Sequence, residues 1–81
     1  MELKIYWTDF SKNELKNIFD YYKKEASLNV ARNLVLGITK EATKLKKHPT
    51  LGQEEELLSK DSRDLRYLVF GSYKIIYWVN L

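Results

Sequence analysis

Apolar and polar positions alternate most clearly near the end of the chain, where two short runs, residues 65–70 and 73–79, flank Gly71-Ser72. Both runs are rich in β-branched and aromatic residues, and a glycine at the first central position suits a type II′ turn, so the pattern predicts a β-hairpin. Pairing Phe70 with Tyr73 sets Leu68 opposite Ile75 and Arg66 opposite Tyr77. Opposed residues share a face. One side then carries Arg66, Leu68, Phe70, Tyr73, Ile75, Tyr77 and Val79, and the other Leu65, Tyr67, Val69, Lys74, Ile76 and Trp78.

At the other end, Leu3, Ile5 and Trp7 alternate with Lys4 and Tyr6, which predicts a strand over about residues 2–7. Ser11-Lys-Asn-Glu14 has the form of a capping box, with Phe10 and Leu15 beside it as a staple. The helix it opens repeats apolar residues at Leu15, Ile18, Phe19 and Tyr22. Ser27 caps a second helix after a short join, so the two form an antiparallel hairpin. Val30, Leu34, Ile38, Ala42 and Leu45 make its stripe, with Ala31 and Val35 beside it. Gly37 inside this helix points to a close approach to the first helix or to a kink. His48-Pro49 ends the helix, because the residue before proline is pushed out of the α region. Residues 53–62 are polar around Leu57-Leu58 and read as a loop or a short helical turn.

The predicted order is therefore β-α-α-β-β: an α+β fold in which a helical hairpin lies across a small, largely antiparallel sheet. With 81 residues the chain is read as one domain, and its 44% hydrophobic content separates it from disordered sequences. There is no cysteine, which removes disulfides and thiolate chemistry and fits a reducing cytoplasm. The net charge of +3 permits a polyanionic partner without demanding one. Neither a secretory leader nor a membrane span is apparent.

Candidate chemistry is sparse. His48 is the one histidine, so paired imidazole chemistry cannot be built, and its place at a helix end reads as a solvated residue facing the helix dipole. Glu54-Glu55-Glu56 reads as a solvated loop, and Lys40, Lys44 and Lys47 as the wet ridge of the second helix. Arg66 stands out, being mid-strand among apolar neighbours. It is either half of a cross-strand pair with Tyr77 or a guanidinium fork for a partner's carboxylate or phosphate.

Four local patterns, in order, resemble the RelE/ParE superfamily of type II toxin–antitoxin toxins, often labelled plasmid stabilisation proteins. They are Ile5-Tyr-Trp-Thr8 leading into Phe10 and Leu15; the helical hairpin with Ser27 and Ala31; the segment Leu45 to Gly52 through His48-Pro49; and Leu65-Arg66 followed by Tyr73-Lys-Ile-Ile-Tyr77. The resemblance spans essentially the whole chain, except that the family usually continues through a further C-terminal strand.

That resemblance implies a toxin neutralised by a cognate antitoxin. ParE-like members inhibit DNA gyrase, whereas RelE-like members cut messenger RNA on the ribosome with basic sheet residues and a C-terminal acid–base group. Here Arg66 matches the family's strand arginine and Lys74 a common basic position, but a second sheet arginine and the C-terminal group are lacking, which favours the gyrase inhibitor. If the chain were a nuclease, Arg66, Lys74 and Tyr77 would carry it; an inactive module that keeps antitoxin binding is a third reading. Partner contacts are expected at Arg66, Tyr73, Tyr77 and Trp78, with no cofactor or metal. An exposed sheet edge beside Tyr77 and Trp78 would invite the antitoxin or self-association.

Overall fold

The computed structural model describes residues 3–56 and 63–80. Helix α1 spans Asp9–Glu25 and α2 spans Leu28–Thr43, and the two pack together as a hairpin. The cap of α1 is Thr8, three residues ahead of the expected Ser11. Its backbone is extended and its Oγ1 accepts from the Ser11 amide at 3.1 Å, while the Ser11 hydroxyl donates to the Thr8 carbonyl. Asp9 then sits in the first turn, where the helix end favours an anion. Thr8→Ala is expected to cost about 1 kcal/mol in urea unfolding, and Ser11→Ala clearly less.

Ser27 caps α2 as predicted, accepting from the Val30 amide at 3.1 Å. Ile38 and Ala42 are buried on the expected stripe and Ala31 beside it, but Val30 is exposed. The α-helix stops at Thr43 rather than at His48. A 3₁₀ turn, Lys44–Lys46, follows, and the amides of Lys47 and His48 both donate to the Lys44 carbonyl, tightening the end of the helix and burying Leu45.

Three antiparallel strands, β1 (Gln53–Glu54), β2 (Arg66–Phe70) and β3 (Tyr73–Tyr77), form the sheet in that order. The hairpin register is the expected one, from Phe70↔Tyr73 to Arg66↔Tyr77. Gly71 has φ +60° and Ser72 does not share a positive φ, in keeping with the type II′ turn. Leu68 is buried and Tyr73, Ile75 and Tyr77 are half-buried, whereas Val69 and Ile76 face outward.

Further expectations are corrected. Residues 3–8 are in no strand: Leu3 donates its amide to the Lys46 carbonyl at 3.0 Å, and the sheet's third member is Gln53–Glu54, in the stretch expected to be a loop. Leu57-Leu58 lie outside the described residues. Gly37 makes room for the sheet rather than for α1, since a Cβ there would overlap the Phe70 ring. Leu65, placed on the outer face, is buried, because pairing with β3 begins only at Arg66 and the alternation does not extend to it. Glu55 is buried as well, although the acidic run read as solvated; its amide donates to the Leu65 carbonyl and draws it inward.

Candidate functional site: the β2–β3 hairpin and its open edge

The hairpin holds Arg66, Tyr73, Lys74 and Tyr77, with Trp78 directly after its last paired residue, and its register sorts them onto two faces. Arg66 and Tyr77 are opposite one another on the side that faces the helices. Arg66 Nη1 donates to the Gly52 carbonyl at 3.1 Å, and its Nε lies 3.4 Å from an Asp64 carboxylate oxygen. The Tyr77 hydroxyl accepts from the Gly52 amide at 2.9 Å and donates to the Pro49 carbonyl at 2.7 Å. Together they clamp the Pro49–Gly52 turn. Gly52 is buried there, and a Cβ on it would lie 2.7 Å from the Tyr67 carbonyl oxygen and from the Tyr77 ring. Neither side chain was expected to meet this turn, and its one signal in the sequence is the glycine itself.

Lys74 lies on the opposite face. Its Nζ is 3.3 Å from buried Glu55 and 4.4 Å from the centre of the Tyr67 ring, whose hydroxyl donates to Gln53. Arg66, Lys74 and Tyr77 are therefore not brought to one point. Trp78 is on this outer side too, with the Arg63 guanidinium 4.4 Å from its ring centre; nothing in the sequence pattern marks Arg63. Tyr73 points inward, its hydroxyl 3.5 Å from that of Tyr22, and sharing a proton with that neighbour holds the Tyr73 phenol above its usual range. Of the four expected partner contacts, Arg66 and Tyr77 serve the turn, Tyr73 meets α1, and Trp78 is exposed.

His48 and the lysine ridge of Lys40, Lys44 and Lys47 are all exposed, and Lys44 pairs with Glu41 at 3.0 Å. Among the described residues no group of three or more His, Cys, Asp or Glu could hold a metal ion, and no helix is long and apolar enough to cross a membrane.

A groove of about 780 Å³ opens beside β3. The segment Leu3–Thr8 forms one wall and residues Tyr73 to Asn80 the other; Leu15, Ile18, Ile38, Ala42 and Leu45 lie between. On the described residues β3 pairs with β2 alone, so its other edge opens on this groove. An apolar trough along an unpaired strand can take an extended segment, with main-chain hydrogen bonds supplying affinity and side-chain pockets specificity.

A family model described as the ParE toxin of type II toxin-antitoxin system, parDE, matches residues 5–80. No curated protein and no solved structure matches the chain.

Proposed function

Because the chain belongs to the ParE toxin family of type II toxin–antitoxin systems, we propose that it acts by binding rather than by cutting: it inhibits DNA gyrase in the cytoplasm and is neutralised by its cognate antitoxin. The observation that carries this reading is the separation of the three residues a nuclease would need. The Tyr77 hydroxyl and Arg66 Nη1 are engaged with the Pro49–Gly52 turn, Arg66 Nε is paired with Asp64, and Lys74 is on the other face with Glu55. A general acid and a general base must flank the same reacting phosphate, and here Tyr77, whose hydroxyl donates to the Pro49 carbonyl, and Lys74 are on opposite faces of the sheet. The open edge of β3 supports the antitoxin half of the proposal, as the place where an extended segment of that protein adds to the sheet.

The test uses the purified protein. Inhibition of gyrase supercoiling, relieved by the antitoxin, with ribosome-bound messenger RNA left intact, is the expected result. RNA cleavage that follows the protein through purification and vanishes in Arg66→Ala or Lys74→Ala would replace the gyrase reading with the nuclease. Growth arrest separates the positions further. Arg66→Ala is expected to lose at least tenfold more toxicity than Lys44→Ala at equal expression, because Arg66 holds the turn whereas Lys44 makes an exposed pair with Glu41. Equal loss from both would show that toxicity does not depend on the hairpin.

A further inference from the structure

Residues 3–8 and 40–48 meet at one end of the molecule. The Leu3 amide donates to the Lys46 carbonyl at 3.0 Å, which holds Lys4 beside the 3₁₀ turn of Lys44–Lys46. Together the two stretches carry five lysines, Lys4, Lys40, Lys44, Lys46 and Lys47, against one carboxylate, Glu41. The rest of the chain has nine cations and ten anions, so the whole net charge of +3 arises here. Among the described residues Lys44 alone of the five is in an ion pair, with Glu41 at 3.0 Å. Such an excess raises the local potential and draws anions to this end.

Shape narrows the kind of anion. Leu3, Lys4, Ile5, Tyr6 and Lys46 line a shallow crease of about 470 Å³, with no acidic side chain among them. Leu3 and Ile5 are half-buried whereas Lys4 and Tyr6 are exposed, so the ammonium and the phenol ring share the outward side of this segment. Tyr6 is 82% exposed, more than any other large apolar side chain described. An acidic peptide would use the ammonium groups and leave this ring in water. A single strand of nucleic acid uses both, offering phosphates to the lysines and the face of a base to the ring.

We propose that this crease binds single-stranded DNA, with Lys4, Lys46 and Lys47 on its phosphates and a base stacked on Tyr6. Strand binding stands on the crease alone; that the strand is DNA rests on the proposed function, whose target works on DNA. Held by two contacts, the toxin is kept on gyrase engaged with DNA in preference to the free enzyme.

The test follows the fluorescence anisotropy of a labelled ten-nucleotide oligothymidylate mixed with the purified protein. Binding at low salt is expected, with log K falling against log salt at a slope of about −2, since each of three phosphates contributes about −0.7 on a single strand. Lys4→Glu with Lys46→Glu should weaken it at least tenfold and flatten the slope by more than one. Lys23→Glu with Lys24→Glu makes the same charge change in the last turn of α1, at the far end of the helical hairpin, and should cost less than threefold. Tyr6→Ala, at a position too exposed to disturb folding, should weaken the oligothymidylate at least fivefold and leave a duplex of the same length unaffected. No binding at low salt, or equal losses from the two charge-reversed proteins, overturns the crease. A polyglutamate peptide that competes as well as the oligothymidylate makes the partner an acidic protein instead. If Tyr6→Ala changes neither affinity, the single-strand reading fails. Gyrase supercoiling then decides the identity of the strand: variants that lose the oligothymidylate should inhibit at least tenfold less, and unchanged inhibition overturns DNA as the strand held. Wild-type protein that binds the oligothymidylate and spares gyrase would sink the proposed function and leave strand binding standing.

Discussion

Gly52→Ala is expected to destabilise the protein by about 3 kcal/mol, near the upper end of what overpacking a well-filled site costs. The added carbon would meet the Tyr67 carbonyl oxygen at 2.7 Å, and that oxygen belongs to the strand paired with both β1 and β3. Backbone held on two sides cannot retreat. For a domain of this size the change corresponds to a fall in melting temperature of more than about 12 °C. Gly37→Ala is the informative comparison. Its added carbon also meets an obstacle, but that obstacle is the tip of the Phe70 ring, which can swing aside. The better helix propensity of alanine, worth about 1 kcal/mol, then offsets much of the crowding. Thermal unfolding of the two variants side by side should rank Gly52→Ala well below Gly37→Ala. The reverse order would mean that the Pro49–Gly52 turn is not packed against the sheet as described.

The second large effect is expected from removal of one oxygen atom. Tyr77→Phe leaves the buried Gly52 amide and the Pro49 carbonyl without their partner, and each unmet group costs about 1–3 kcal/mol. A total loss of about 2–6 kcal/mol by urea unfolding follows. Tyr73→Phe should cost well under 1 kcal/mol, because its contact with Tyr22 is long at 3.5 Å and makes no bond to the backbone. The pair also bears on mechanism. If Tyr77→Phe abolished toxicity while keeping wild-type stability, the hydroxyl would have a chemical role and the nuclease reading would return. Lost toxicity that recovers at low temperature together with folding would tie Tyr77 to the turn.

How far the fold could be read ahead depended on whether side chains or backbone partners define each element. The β2–β3 hairpin was legible to the residue because alternation and Gly71-Ser72 fix face and register together. Helix pairing was legible from Leu15, Ile18, Ala31 and Ile38, whose spacing reports burial directly. Strand β1 was not: Gln53 and Glu54 are both exposed, and they form a strand only because Tyr67 and Arg66 pair with them. The opposite error arose at Leu3, Ile5 and Trp7, where alternation reported burial correctly and pairing was wrongly inferred from it. Among the candidate site residues, position on the hairpin was readable and employment was not. Arg66 was recognised as unusual, but the hydrogen bond that ties it to the turn goes to Gly52, a residue 14 positions earlier whose only sequence cue is its lack of a side chain.

The clamp on the Pro49–Gly52 turn has a consequence for synthesis of the toxin. Tyr77 follows Pro49 by 28 residues, and chains grow at about 5–20 residues per second, so the turn waits roughly 1–6 s on the ribosome for the side chain that locks it. The helices, made of nearby contacts, can pair in that interval. A nascent chain thus carries its helical hairpin before its clamp, and the last paired residue of β3 is also the one that secures the turn.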